Sequence, residues 1–427
     1  MINEDSPTLK GDKIKIIMKP FIHHVYQYNK NVPLKRKLIT LLLVLLGITL
    51  VALGFYALNK QVLKSQSKDV TLDFDFNLED TNEASCSISS NIEYVYYSGS
   101  NPLWKENNKF GLYIYAEDKD FFEIAQNLVN SNGGDWGYVL IPYSVKDYDT
   151  GKWGRVFDQL ISKHLIPVIQ LWDVDINNYK KETRKAAEFL NKFIWPVKYR
   201  YISVYNEPND DKFWFESANP EQYAKVLDYT IEVFKGANSD FYIMNGALNV
   251  SLSSNSHGVE AFDFMRRMEK EVPGIFEKLD AWASHPYPQP NFSGGPNDTG
   301  RWSIRAYEDE LKYLQDNLGV KKELPVFITE TGWAHAEGAN YNGSYLPVAT
   351  ISEYFKTAFN EVWLKDARVR AVMPFTIKYD APFDHFSWVN EDKVPYLHYD
   401  VIKKMKKVEG KPPSLVTGSV NLQNCNN

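Results

Sequence analysis

Residues 201–248 open on YISVYNEP (Tyr201–Pro208), pass through PEQYAKVLDYTIEVFKGA (Pro220–Ala237) and close on FYIMNGAL (Phe241–Leu248). The two outer pieces are short apolar runs, the pattern of strands buried on both faces. The middle piece is amphipathic and long enough for a helix. Strand, helix, strand is the repeating unit of a parallel sheet. The same alternation continues on both sides. FGLYIYA (110–116), WGYVLIPY (136–143) and IPVIQLW (166–172) precede it, and LDAWASHPY (279–287), LPVFITETGW (324–333) and VRAVMPFTIKY (369–379) follow. Helical segments such as KAAEFLNKFIW, RAYEDELKYLQDNL and ISEYFKTAFNEVWLK lie between. Eight strand–helix units over roughly 300 residues predict an α/β fold, the (β/α)₈ barrel. An open doubly wound sheet would call for a glycine-rich phosphate loop after a strand, and none follows any of the eight.

Upstream, Leu38–Leu58 (LITLLLVLLGITLVALGFYAL) is a run of 21 residues without a charge. At about 1.5 Å per residue it is long enough to cross a hydrocarbon core, and it lacks the polar stripe of a core helix. Its length and the missing small-x-small site argue against a cleaved signal peptide. Residues 1–37 carry eight Lys and Arg against three acids, so the basic flank is expected to stay cytoplasmic. The predicted plan is a basic cytoplasmic segment (1–37), a transmembrane helix (38–58), an extracytoplasmic stalk (59–104), the barrel (105–410) and an irregular tail (411–427). This places the protein in the cell membrane, single-pass, with its barrel outside. Cys86 and Cys425 then share an oxidising compartment and are candidates for one disulfide, with free thiols as the alternative.

The formal net charge of the whole chain is −6, with the positive surplus confined to the N-terminus. An acidic main body repels phosphate backbones, which excludes nucleic acid as an expected partner. Aromatic residues make up 15% of the chain, with 27 Tyr and 11 Trp. Composition alone is equally consistent with a Tyr-rich core and with a carbohydrate site built on flat rings.

In a barrel, chemistry gathers at the C-terminal ends of the strands. There the sequence places Asn206-Glu207-Pro208 after strand 4, His285-Pro286-Tyr287 after strand 6 and Glu330-Thr331-Gly332-Trp333 after strand 7. Glu207 and Glu330 are three βα units apart and face one mouth. Glycoside hydrolysis uses such a pair, one carboxyl as acid and the other as nucleophile or base. Against this, Glu207 could cap a following helix and Glu330 could be a buried structural carboxylate. Both ending strands in the same barrel favours the catalytic reading.

These residues resemble glycoside hydrolase clan A, the retaining (β/α)₈ β-glycosidases, over residues 105–410. The resemblance implies that Glu207 is the acid/base, that Glu330 in ITETGW is the nucleophile, and that Asn206 contacts a sugar hydroxyl. It also implies that Tyr287 hydrogen-bonds the nucleophile. The chain departs from family 5 of that clan, in which strand 2 carries an Arg and strand 3 a His. Here strand 2 ends VLIPYS, and strand 3 offers Gln170, Leu171, Trp172 and Asp173. A family 39-like member, or another of the clan, remains open. A β-linked oligo- or polysaccharide is the expected partner, and no cofactor is implied.

Mechanistically, the nucleophile should be ionised among donors such as Tyr287 and His285, while the acid's pKa should be raised. Trp172, Trp333 and Trp388 are the leading sugar platforms; Trp214, Tyr143, Tyr205 and Tyr379 also lie near strand ends. Asp173 and Asp175 are candidates for sugar hydroxyls, although loop acids more often cap turns. The 8 histidines show no ligand spacing such as HExxH, so no catalytic metal is expected. Sequons begin at Asn249, Asn291, Asn297 and Asn342. Two other functions fit the same motifs: a non-catalytic glycan-binding barrel, and a transglycosylase using the same covalent intermediate.

Overall fold

The computed structural model describes residues 92–94, 107–214, 217–412 and 415–417. All belong to the second of two units into which the chain divides, Ser87–Asn427. Leu38–Leu58, Cys86 and Cys425 lie outside the described residues. Among the described residues, no helix is long and apolar enough to cross a membrane.

Eight parallel strands and eight helices alternate along the described chain. The strands are β1 Gly111–Tyr113, β2 Gly137–Ser144, β3 Leu165–Trp172, β4 Arg200–Val204, β5 Phe241–Asn245, β6 Trp282–Ser284, β7 Val326–Ile328 and β8 Val369–Val372. The helices that follow them in turn are α1 Lys119–Val129, α2 Thr150–Ser162, α3 Tyr179–Asn191, α4 Pro220–Ala237, α5 Ala261–Glu271, α6 Ala306–Leu318, α7 Val348–Thr357 and α8 Leu397–Lys404. The first five strands pair in sequence order, as do the last three. Single parallel bridges complete the ring: Met244 to Ala281 joins β5 to the start of β6, and Phe110 to Val372 joins the start of β1 to β8. Every strand expected from the sequence is present, and the sheet closes.

Closure follows from side-chain alternation. Val139 and Ile141 of β2 belong to the core shared with the helices, while Tyr138 and Leu140 point into the barrel. The interior is filled by large rings set against small residues. Tyr201 lies 5.1 Å from Phe327 and 5.2 Å from Tyr242, ring centre to ring centre. Ala281, Ala283 and Ala371 share this interior cluster. Much of the high Tyr content is therefore core. The helices start where caps allow: Asp149 accepts from the Lys152 amide at α2, and Asn219 from Gln222 at α4, with Pro220 in the first turn.

The tail is not wholly irregular. Leu415–Thr417 pairs antiparallel with Ile92–Tyr94, bringing the segment before the barrel and the segment after it side by side.

One buried acid lies between the barrel and its helices. Glu310 of α6 is fully buried and accepts from the Ser284 hydroxyl and, at 3.2 Å, from the Trp282 indole. Burial pushes its carboxyl up to about 7, against the opposing pull of those two bonds and of the His285 and Arg301 charges. The folded pKa thus lies above the ordinary value. The group favours the fold most at low pH, and that contribution is lost as pH rises from about 4.5 through about 7. Glu310→Gln keeps an acceptor for Ser284 and Trp282 but cannot ionise. It is expected to melt with the parent at pH 4.5 and clearly above it at pH 8, by an amount on the order of 3 kcal/mol. Thermal melts at the two pH values check this, and an equal shift at both would contradict it.

Candidate active site

The chain turns sharply as it leaves β4. Tyr205 (φ 72°) and Glu207 (φ 35°) both take left-handed conformations, which cost non-glycine residues on the order of 1–3 kcal/mol each. Neighbouring packing holds the turn. Gly246 lies so close that an added Cβ would meet the Val204 carbonyl at 2.6 Å. Asn209, buried two residues after Glu207, donates to the Asn249 and Val259 carbonyls (both 3.0 Å) and accepts from the Asn249 amide (2.9 Å). This ties the β4 loop to the β5 loop and sets the direction of Glu207. After β7, Gly332 adopts φ 146°, a conformation open to glycine, and lets the chain turn away behind Glu330.

Glu207 and Glu330 meet at one imidazole. His285 Nδ1 is 3.0 Å from Glu207 Oε1 and 3.8 Å from Glu330 Oε2. Those oxygens therefore lie no farther apart than the two distances laid end to end. The Tyr287 hydroxyl donates to Glu330 Oε2 at 3.0 Å. Both carboxylates are at least nine-tenths buried and line a cleft of about 560 Å³ at the C-terminal mouth of the barrel.

Burial pushes the Glu330 carboxyl up to about 7 and the Glu207 charge adds to the shift, while His285, Tyr287 and Gln170 pull it down. Burial opposes the charged imidazole of His285, but the carboxylates of Glu330 and Glu207 outweigh it and raise its pKa. His285 sits closer to Glu207 than to Glu330 while reaching both. Two buried carboxylates this close raise the cost of ionising both, and Glu330 holds its proton above the ordinary carboxyl range.

Asn206 lines the cleft as expected. Its orientation comes from a residue singled out in sequence only as a departure from family 5. Gln170, fully buried on β3, donates Nε2 to Asn206 Oδ1 at 3.1 Å and accepts from Trp172 Nε1 at 2.8 Å. With its carbonyl engaged, Asn206 is left with its amide NH₂ as the group to offer other partners.

The aromatic platforms divide. Trp172 and Tyr379 line the cleft. Trp333 and Trp388 do not, since each is 1% exposed. Trp333 donates to the Gly294 carbonyl at 2.7 Å and packs on Phe355, while Trp388 packs between Phe355 and His398. Both are core residues beneath the β7 and β8 loops. Trp214, Tyr143 and Tyr205 are buried as well. In their place Phe213, Phe292, Phe375, Phe383 and Phe386 line the cleft. Phe375 was within reach of sequence reasoning, because it lies just past β8 where the catalytic face begins; the others sit on loops without periodicity. Asp173 borders a smaller cavity beside Trp172, and Asp175 closes a turn by accepting from the Asn177 amide at 2.9 Å.

The fold and site define a (β/α)₈ barrel with paired carboxylates in an aromatic cleft. No protein-family model and no curated protein matches the chain. Similar solved structures include a monomeric β-xylosidase from Caulobacter crescentus CB15, at 15% identity and TM-score 0.46, covering 69% of this chain and 67% of that one. A GH128 (subgroup II) endo-β-1,3-glucanase from Pseudomonas viridiflava is 14% identical with TM-score 0.45, covering 70% and 98%. The β-glucanase from Saccharophagus degradans solved with cellotetraose is 15% identical with TM-score 0.45, covering 70% and 87%. By name these three are a β-xylosidase and two β-glucanases. Likeness at this level assigns no role to any residue here.

Proposed function

We propose that this protein is a retaining β-glycoside hydrolase acting by double displacement, with Glu330 as nucleophile and Glu207 as acid/base. The observation that carries the reading is the shared imidazole: two buried carboxylates at 3.0 and 3.8 Å from one nitrogen, at the floor of an aromatic cleft. The sum of those two distances caps the separation near the boundary between retaining pairs, roughly 5–5.5 Å, and inverting pairs, roughly 6.5–9.5 Å, so the configuration of the product decides between them.

The proton that Glu330 holds has a use once it passes to Glu207. With it on Glu207, Glu330 is free to attack the anomeric carbon while Glu207 protonates the departing oxygen. Once the sugar–Glu330 ester has formed, Glu207 has given its proton to the leaving group and is the base that activates water in the second step. Tyr287 holds the attacking carboxylate in place, and Asn206 offers its NH₂ to the bound ring. A binding-only barrel has no need for paired buried carboxylates. Proton NMR of the first-formed product of an aryl β-glycoside tests the reading: the β-anomer is expected, and initial α-product would refute retention. Accumulation of longer oligosaccharides in the same reaction would mark a transglycosylase.

We also propose that residues 38–58 tether the barrel to a membrane, with the barrel on the extracytoplasmic side. This rests on the uncharged 21-residue run and its basic flank. Full-length protein should fractionate with membranes and be degraded by protease added to intact cells, while a chain lacking 1–58 should be soluble. Protection of the barrel in intact cells would overturn the orientation.

A further inference from the structure

Beside the catalytic cleft lies a second cavity of about 390 Å³, bordered by Lys146, Trp172, Asp173, Asp211, Lys212 and Phe213. Trp172, Asn206, Lys212 and Phe213 line both spaces, so they form one trough. The rings of Trp172 and Phe213 stand at the join, edge to face at 5.9 Å. Each space alone falls within the ~300–1,000 Å³ of an ordinary small-ligand site. Together they exceed what one sugar at the carboxylates requires.

We propose that this trough binds an internal segment of a neutral β-linked polysaccharide, the chain passing over Glu207 and Glu330 and on past Trp172 and Phe213 into the second cavity. The proposal rests on the hydrolase reading and makes the enzyme endo-acting.

Three observations carry it. The first is where exposed rings occur. Among the described residues the exposed large aromatics are Tyr148, Phe213, Trp302, Tyr341, Tyr379 and Phe383. All six lie on loops leading from a strand to the next helix, and three of them, Phe213, Tyr379 and Phe383, line the cleft. Rings left in water at such a mouth serve no core, whereas rigid flat apolar faces suit sugar stacking.

The second is their placement about the cleavage point. Phe213 comes from the β4 loop and Trp172 from the end of β3, and Tyr379 and Phe383 from the β8 loop across the ring. The carboxylates meet over the axis between them, at His285. Phe213, Tyr379 and Phe383 are 38%, 40% and 48% exposed, so rings open to solvent stand on both sides. A chain-end trimmer needs one side walled off.

The third is charge. Glu207, Asp210 and Glu330 line the first space and Asp173 and Asp211 the second, against Lys146 and Lys212 alone. A polyanion would be repelled, whereas hydroxyl-rich neutral sugars meet acceptors and donors together. Trp172 is also held firm, since its indole is bonded to Gln170 and Gln170 to Asn206 beside Glu207. Stacking on this ring therefore aligns the chain with the acid.

The test uses the full chain carrying Glu330→Gln, which holds substrate without cleaving it. Calorimetry would measure neutral β-1,3- and β-1,4-linked oligosaccharides of increasing length, with β-1,4-mannuronate oligomers alongside. Affinity for one neutral series is expected to keep rising beyond the shortest members, and adding Phe213→Ala should cut roughly tenfold from the long members and much less from the short. In the parent, Phe213→Ala should lower kcat/KM on polymer more than on an aryl glycoside, and parent digests should lose viscosity before free monosaccharide appears. Release of terminal sugars only, equal losses on short and long substrates, or preference for the mannuronates would overturn the proposal. Length-dependent binding without any turnover by the parent would uphold the trough and remove the hydrolase reading instead.

Discussion

Glu330→Gln is expected to lose turnover by about 10⁴-fold or more on every substrate the parent cleaves, because an amide cannot attack the anomeric carbon. The loss should not be a folding defect. Burial already pushes the Glu330 carboxyl up to about 7. Its contribution to stability is therefore present at low pH and lost as pH rises from about 4.5 through about 7, and the uncharged amide escapes that loss. The variant should melt no lower than the parent at pH 8. The pH profile of the parent follows from the pair. Glu330 must be ionised while Glu207 keeps a proton, so kcat/KM, which reports the free enzyme, should fall on its alkaline side once the pair has lost both protons. A slow fluorinated glycoside should leave a covalent adduct on Glu330, located by peptide mass spectrometry. Full activity in Glu330→Gln or an adduct on another residue would each remove Glu330 from the nucleophile's place.

Removing the other carboxylate should give a different result. Glu207→Ala is expected to lose about 10²–10⁴-fold on substrates with poor leaving groups, the usual contribution of a general acid. A dinitrophenyl glycoside needs no proton on departure, so its first step should survive and the glycosyl–Glu330 ester should accumulate. Azide needs no base, so it should discharge that ester, restore much of the rate and yield the β-glycosyl azide. His285, which contacts Glu207 at 3.0 Å, remains to hold Glu330. The product's configuration decides the roles. An α-azide from this variant would mean that azide attacked the substrate directly and that Glu207 is the nucleophile.

The two carboxylates were legible because they depend on local pattern. Both follow short apolar runs that form strands wherever they are placed, and the C-terminal end of a barrel strand is the catalytic face by construction. The Asn206-Glu207 and His285-Pro286-Tyr287 motifs took their places for the same reason. The platforms were not legible in this way. Trp333 and Trp388 follow strands as closely as the functional residues do, and they differ only in which way their rings turn. That was decided by partners distant in the chain: the Gly294 carbonyl and Phe355 for Trp333, and Phe355 and His398 for Trp388.

What the sequence alone determined is the alternation of eight apolar runs with amphipathic helices, the closed barrel this implies, and the loops that carry chemistry. Periodicity is a property of neighbouring residues, and burial of an alternating pattern has few solutions. Only the tertiary structure decided that Gln170 orients Asn206, that His285 lies between the acids, and that burial together with the second charge raises Glu330. These are relations between side chains on β3, β4, β6 and β7, set to within an ångström by the packing of a closed ring. A linear pattern holds no term for the distance between two strands that never adjoin in sequence, and it is that distance that sets the charge of one glutamate against the other.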